Sequence, residues 1–462
     1  MHPHTANGDD SRLSFWRRVR EYAVPPSMIE TATARRLSGD WAGACAAANV
    51  EVDFRPRDVA RTHGRHLADR LREDLRRLAP DLLRWHLPRT APDGRLRAGL
   101  TVPLARYPGE RPLHLVVRTP PAWAEFGQRI ALALWDGSDP GPARHPRPRP
   151  SRRFRLDLHR HLWDAARSGE LALRAGPAAG PGYESGPRLP TGLPASGFGA
   201  HELLCATDRW AAEAELLRHA EGRPAGPVLV RLGHRQRLLL GPDGLVEEAV
   251  GDVRALPLLP DAATWALPDL DLLRAGAIEP DRLHPLVTAA LAPGHRNDPR
   301  PQPPPGQRLV DCRGARHRIA VVDGVLTPLD HDPAELRREE LLVALSGRPL
   351  PCLRAIDQTH RDPAQLTDVR ERLNHGDTAG ALAAVEDLLG PQAALRDGPL
   401  RDELAAAAER RIAYGRYRTG LTPDQRAVAV GSRLSYRLYR FGFPVHSAQH
   451  YPFPRPPRTA TR

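Results

Sequence analysis

The sequence contains no lysine, so arginine supplies all 67 of its basic residues. This absence excludes several function classes. The P-loop of NTPases, the active site of protein kinases and the Schiff base of pyridoxal enzymes each depend on a lysine in their standard form. The motifs G-x-G-x-x-G, H-E-x-x-H and G-x-S-x-G are also missing. The chain therefore lacks the sequence signals of common dinucleotide-binding, zinc-protease and serine-hydrolase families.

Clustered cysteines and long apolar runs are missing as well. The four cysteines, Cys45, Cys205, Cys312 and Cys352, stand far apart, and the first residues lack the apolar core of a signal peptide. No apolar run approaches the length of about 18 residues that a transmembrane helix needs. We therefore expect free thiols, no membrane-spanning segment and a cytoplasmic location.

Alanine, arginine, proline and glycine dominate the composition, a profile typical of a GC-rich bacterial coding sequence. Such a genome places arginine at neutral surface positions, so the net charge of +12 is weak evidence for a nucleic-acid partner. The 55 acidic residues are mixed among the basic ones. We therefore expect most of the charge to lie on solvated surface.

Stretches rich in proline, glycine and arginine divide the chain into folded units. Linkers are predicted at 137–153, 175–199 and 292–307, and flexible termini at 1–24 and 451–462. The predicted units are a helical hairpin with a β-hairpin and helix (25–136), a short strand and helix (154–174), a helix with a β-meander (200–291), and a β-meander with C-terminal helices (308–450). This mixture, without a βαβ rhythm, predicts an α+β fold that is mainly helical with small antiparallel hairpins and meanders.

Local signals predict where individual helices begin and end. Ser27 is placed to cap a helix that runs from 28 to 38. The segment 120–137 predicts a helix that begins near its two prolines. One further continuous helix is predicted by an apolar stripe of Leu67, Leu71, Leu75, Leu78 and Leu82.

Two segments share one layout, "PVLVRLGHRQRLLLGPDGLVEE" and "QRLVDCRGARHRIAVVDGVLTPL". In each, an apolar run is followed by an Asp-Gly pair and two aliphatic residues. The pairs, Asp243-Gly244 and Asp323-Gly324, favour tight turns. Each segment therefore predicts a three-stranded meander, and the likeness fits either a duplication or chance.

The segment "SGDWAGACAAA" near the start of the sequence is similar to the segment "HGDTAGALAAV" near its other end. In both copies we expect a helix to end at glycine and aspartate to cap the next helix, whose small side chains allow close packing. This corner resembles the turn between the two helices of a tetratricopeptide unit. The residues that carry the resemblance are Gly39, Asp40, Ala44, Gly376, Asp377 and Ala381. The sequence has no tandem array of units of about 34 residues, so the prediction is isolated helical hairpins.

The segment "FRLDLHRHLWD" offers a candidate metal site. If 154–161 form a strand, Asp157, His159 and His161 share one face, and two imidazoles with a carboxylate suit Zn²⁺ or Fe²⁺. If the segment instead begins a helix, residues two apart point about 200° apart and the set is scattered. The alternative is a basic amphipathic surface.

A second group of potential ligands contains Cys312, His317, His331, Cys352 and His360. Cysteine and histidine bind zinc well, but the spacings C-x4-H and C-x7-H are not the short knuckle spacings of structural zinc sites. A predicted strand carries Cys312, and Cys352 lies in an apolar stretch. The sequence therefore favours buried structural thiols here and predicts no cofactor.

Two arginine-rich segments could contact nucleic acid. The run "RHPRPRPSRRFR" could neutralise phosphates, and the C-terminal segment interleaves arginine with aromatic rings that could stack on unpaired bases. Packing of that segment on its own domain, or on a protein partner, would use the same residues. The candidate contact residues are Arg433, Tyr436, Arg437, Tyr439, Arg440, Phe441 and Phe443.

These observations together predict a cytoplasmic, non-enzymatic interaction or regulatory protein that presents helical surfaces to a protein partner. The first alternative is an RNA- or DNA-binding protein that uses the C-terminal segment. The second alternative is a metal-dependent hydrolase at Asp157, His159 and His161.

Overall fold

The structure of this protein is a computed structural model. It describes residues 6–109, 112–138, 145–176, 205–223, 225–233, 236–295, 308–312, 314–346 and 350–421. The seven predicted contact residues between Arg433 and Phe443 lie outside these ranges. Among the described residues, no helix has the length and apolar character needed to cross a bilayer.

Among the described residues helices make up about 48% and strands about 16%, which confirms the α+β class. The helices are α1 (Ala6–Ala23), α2 (Pro26–Leu37), α3 (Trp41–Ala47), α4 (Pro56–His63), α5 (Arg65–Arg77), α6 (Pro80–His86), α7 (Glu170–Ala175), α8 (Trp210–Ala220), α9 (Asp261–Thr264), α10 (Pro268–Arg274), α11 (Pro285–Leu291), α12 (Pro333–Ser346), α13 (Pro351–Arg361), α14 (Leu366–His375), α15 (Thr378–Leu389) and α16 (Pro399–Arg418).

In the described part of the chain, three small sheets accompany these helices. Their strands are β1 (Val50–Val52), β2 (Thr101–Tyr107), β3 (Leu113–Arg118), β4 (Ile130–Trp135), β5 (Val228–Arg231), β6 (Arg237–Leu240), β7 (Val246–Glu248), β8 (Arg308–Cys312), β9 (Ala315–Val322) and β10 (Val325–Pro328). The first sheet has the order β1-β4-β3-β2, with β1 parallel to β4.

The largest core joins the first sheet to helices from distant parts of the chain. It contains Val19 of α1, Leu71 of α5, Leu132 of β4, Trp163 and Val287 of α11. The segment 154–174 and the helices α10 and α11 thus share one core with the N-terminal helices. Residues 6–23, predicted to be flexible, form α1 and supply part of this core.

Three local predictions were wrong. The leucine stripe is divided between α5 and α6, because Pro80 opens a new helix at its first position. The segment 120–137 holds one short 3-10 helix and the strand β4, because its alternating small and large apolar residues pair with β3. Pro25, not Ser27, precedes the first helical residue of α2, and no side chain caps that end.

Both predicted meanders form. Strands β5, β6 and β7 follow one another in the second sheet, and β8, β9 and β10 in the third. Their Asp-Gly turns differ: Asp323 and Gly324 both have positive φ, whereas at the other pair only Gly244 does. The tight two-residue turn therefore exists only in the third sheet.

Both predicted corners are confirmed. Gly39 and Gly376 have φ values of +81° and +90°, and the following aspartates cap the next helices. The carboxylate of Asp40 accepts from the amide of Gly43 at 2.8 Å, and that of Asp377 accepts from Gly380 at 2.9 Å. These hairpins, α2–α3 and α14–α15, leave no room for a side chain at the glycines that follow each cap.

Candidate metal centre

Four zinc-type ligands meet where the third sheet contacts α13. Cys312 ends β8, and His317 lies in β9. His331 follows β10, and Cys352 is in the first turn of α13. Their side chains thus come from three elements and the loop after β10, and both cysteines are fully buried.

Local structure brings the first three ligands together. In the β8–β9 hairpin Cys312 pairs with Ala315 and Val310 with His317, and Gly314 in the turn has φ +81°. The guanidinium of Arg318 binds the carboxylate of Asp330, with Nη2 2.7 Å from Oδ1, and the Arg318 amide donates to Oδ2 at 2.7 Å. Because each of these residues is next to a histidine, this contact holds His331 beside His317.

The geometry fits a tetrahedral ion. The four ligand atoms all lie within 4.8 Å of one another, and Nδ1 of His317 is 2.7 Å from Nε2 of His331. Zinc bonds of about 2.3 Å to sulfur and about 2.1 Å to nitrogen place ligand atoms roughly 3.4 to 3.8 Å apart. Small side-chain movements would therefore seat the ion. Two thiolates with two imidazoles favour Zn²⁺ over metals that prefer oxygen ligands.

A carboxylate lies beside one ligand. Nδ1 of His331 is 3.8 Å from Glu335 Oε2, four residues further along the chain. At this distance the contact is electrostatic, and Nε2 of His331 is left facing His317.

The Cys352 thiol carries a proton when no cation is near. Burial raises the pKa of Cys352 to about 12, and the adjacent Cys312 contributes to the same shift. A bound divalent cation would displace the proton and replace it with a thiolate–metal bond. The site is thus chemically suited to a tightly held ion.

Sequence reasoning identified these residues but favoured buried thiols, because the spacings did not match a short zinc knuckle. The structure closes the site through contacts between β8, β9 and α13, which spacing does not reveal. Of the five residues considered, His360 is not part of the group; it lies on α13, is buried, and burial lowers its pKa.

The structure does not bring Asp157, His159 and His161 together around one point. The strand expected over 154–161 is absent, since this stretch consists of turns and a 3-10 helix, Arg160–Leu162. Asp157 is held by Arg155 through two hydrogen bonds of 2.8 and 2.7 Å. Nε2 of His159 lies 3.2 Å from Glu213, whereas the buried Nδ1 of His161 has no described hydrogen-bond partner.

The described aromatic residues near the C-terminus pack against the first unit. The ring of Tyr414 is 6.4 Å from Phe126, and Tyr417 meets Trp123 edge to face at 5.8 Å. Arg418, one residue further on, pairs with Glu51 at 2.8 Å. For this part of the segment, self-packing is the observed use of the aromatic residues.

Comparison with known proteins gives one short match. Over 105 residues the chain is 37% identical to a nucleoside triphosphate pyrophosphohydrolase of Mycolicibacterium smegmatis, covering 22% of this chain and 31% of that protein. The chain thus spans about a third of the length of the curated relative it matches. No protein-family model and no solved structure matches the chain.

Proposed function

We propose that this chain is a non-enzymatic interaction protein whose third sheet and C-terminal helices are joined by one structural Zn²⁺. The convergence of Cys312, His317, His331 and Cys352 carries the proposal. The ion would connect the meander to α13, and α13 in turn packs against α15 and α16. Its role would be to fix the helical surface that the protein offers to a protein partner.

The number of protein ligands supports a structural role over catalysis. Catalytic zinc sites keep one coordination position open for water or substrate, whereas four protein ligands fill a tetrahedral shell. Four free, buried cysteines also suit a reducing compartment, which supports a cytoplasmic location. The activity in the relative's name is not part of the proposal, because the match covers only 31% of that protein.

Metal analysis tests the zinc proposal directly. The full-length protein, purified without chelator, should contain one zinc per chain, and Cys312→Ser and His331→Gln should reduce this content to background. His360→Gln is the matched control, because it removes a buried histidine of α13 that lies outside the tetrad. A wild-type protein without zinc after expression in zinc-supplemented medium would refute the site.

A truncation tests the proposed contact surface separately. Deleting 433–462, which contains the predicted contact residues Arg433 to Phe443, should weaken capture of the protein partner while zinc content stays at one per chain. Undiminished capture by the truncated protein would remove the C-terminal segment from the proposal and leave the helical surface as the contact.

A further inference from the structure

A groove beside the first sheet combines aromatic rings with arginines. Its volume is about 460 Å³, and it lies next to the strands β2, β3 and β4. The residues that line it include Arg106, His114, Trp135, Arg149, Arg152 and Arg223. Its lining residues outside these strands lie at 149–157 and 220–223, so the groove is separate from the four proposed zinc ligands.

Strand register explains why three of these side chains stand together. Arg106 of β2 is directly opposite His114 of β3, and His114 is directly opposite Trp135 of β4. Residues that face each other across strands project from the same side of a sheet. The three therefore form a transverse row, in which the rings of His114 and Trp135 are 5.3 Å apart.

The row lies on the less buried side of the sheet. Leu115, Val117 and Leu132 alternate with the row residues along their strands and belong to the main core on the other side. Trp135 and His114 are half-buried, and Arg106 is exposed. Trp135 and His114 thus remain partly exposed beside the charged side chain of Arg106.

Residues 149–152, within the predicted linker, line one wall of the groove. The hydroxyl of Thr101 donates to the carbonyl of Arg147 at 2.6 Å, and the amide of Ser151 donates to Thr101 at 2.8 Å. These contacts place residues 147–151 along the edge strand β2. Arg149 is exposed and, like Arg106, forms no ion pair with a residue that the structure describes.

The positive surface continues past the groove. Arg106 also lines a neighbouring cavity of about 170 Å³. The two cavities together are lined by nine arginines and four carboxylates. In the whole chain the ratio of basic to acidic residues is only 67 to 55. Arginine is therefore more enriched over carboxylates in these two cavities than the composition explains.

We infer that this groove binds single-stranded nucleic acid, with a base stacked on Trp135 and phosphates on Arg106 and Arg149. Aromatic rings accept unpaired bases of any sequence, and guanidinium groups neutralise the backbone. A continuous basic surface longer than one cavity fits a strand better than a single nucleotide. A duplex keeps its bases stacked inside, so it would gain only the charge contribution.

Fluorescence anisotropy with labelled 12-nucleotide oligo(U) and oligo(dT), measured on the full-length protein at several salt concentrations, tests the inference. Removing two phosphate contacts with the double variant Arg106→Gln, Arg149→Gln should reduce the slope of log affinity against log salt by about 1.4. The matched control is Arg411→Gln with Arg416→Gln, two exposed arginines of α16, which should leave the slope unchanged.

A separate variant tests how much base stacking on Trp135 contributes to oligonucleotide binding. Trp135→Leu should weaken oligonucleotide binding about tenfold without changing the salt slope. Equal binding by wild type and the arginine double variant would overturn the inference, and so would equal binding of base-free polyphosphate or a 12-base-pair duplex. Competition by uridine monophosphate at the concentration of oligo(U) would also overturn the choice of a strand. Zinc content is measured in parallel and should be the same in all variants.

Discussion

Nδ1 of His317 lies 2.7 Å from Nε2 of His331, across 14 residues of sequence. At this distance the two lone pairs would repel each other, so either a proton or a cation must lie between them. A zinc ion bound between them would take the place of a proton and would also bind Cys312 and Cys352 as thiolates.

Zinc binding should therefore release protons and weaken as the pH falls. The pKa of Cys352 is raised to about 12, so its thiol is protonated at neutral pH and must lose its proton to bind the ion. Each released proton makes the affinity rise about tenfold per pH unit, since one pKa unit corresponds to about 1.4 kcal/mol. Titrating metal-free protein with zinc in weak buffer measures the protons, and competition with a chromogenic chelator measures the affinity between pH 6 and 8.

A cysteine outside the tetrad provides the control for the proton-release measurement. Cys205 is buried outside the tetrad, so Cys205→Ser should release the same number of protons on zinc binding as the wild type. An affinity that does not change with pH would contradict thiolate coordination.

The parts of the fold that the sequence predicts are those set by neighbouring residues. The corners at Gly39 and Gly376 depend on a left-handed glycine and a capping aspartate, both of which are visible in a stretch of a few letters. The pattern of β4 predicts a helix, because its strand partners, β3 and the distant β1, lie outside the segment. The convergence of Cys312 and Cys352 escapes prediction for a similar reason, since it depends on the packing of α13 on β8.

The two corner glycines should differ in their tolerance of alanine. Both have positive φ, so Gly39→Ala and Gly376→Ala each incur a backbone penalty of about 1 to 2 kcal/mol. A Cβ on Gly39 would meet nothing within 4 Å, whereas one on Gly376 would collide with the backbone of Gly127. Urea unfolding should show that Gly376→Ala loses at least about 2 kcal/mol more than Gly39→Ala.

The matched pair makes this outcome interpretable, because the backbone penalty cancels in the difference. Equal losses would mean that α14–α15 does not dock on the residues before β4. A smaller loss for Gly376→Ala would mean the same.

The buried side chain of Arg84 should be essential for holding α14 against α1 and against the residues before β4. Its fully buried guanidinium donates to the carbonyls of Ala23 at 2.9 Å, Gln128 at 2.5 Å and His375 at 2.5 Å. Burial lowers its pKa to about 10, so it remains charged at pH 7. Arg84→Met would leave these carbonyls without their donor and should cost about 3 kcal/mol or more.

Hydrogen exchange shows which helices lose amide protection when Arg84 is replaced. In Arg84→Met, amides of α14 and α15 should exchange faster than in the wild type, whereas Arg411→Met, an exposed change on α16, should leave them unchanged. Unchanged protection of α14 in Arg84→Met would show that the Arg84 contact does not hold the C-terminal helices.

His161 should make folding stability sensitive to acid in a defined window. Burial first, and the nearby His159 and Arg174 second, lower its pKa to about 2, whereas the unfolded chain titrates near 6.5. Below pH 6.5 the unfolded state therefore binds a proton that the folded state does not bind, and the free energy of unfolding falls by about 1.4 kcal/mol per pH unit.

His161→Gln removes this group, so urea unfolding should show a shallower loss of stability between pH 6.5 and 4.5 than in the wild type. Above pH 6.5 the difference in slope should vanish, and the exposed His219→Gln should behave as the wild type throughout. Parallel pH profiles for wild type and His161→Gln would mean that His161 is protonated inside the fold, which its burial opposes.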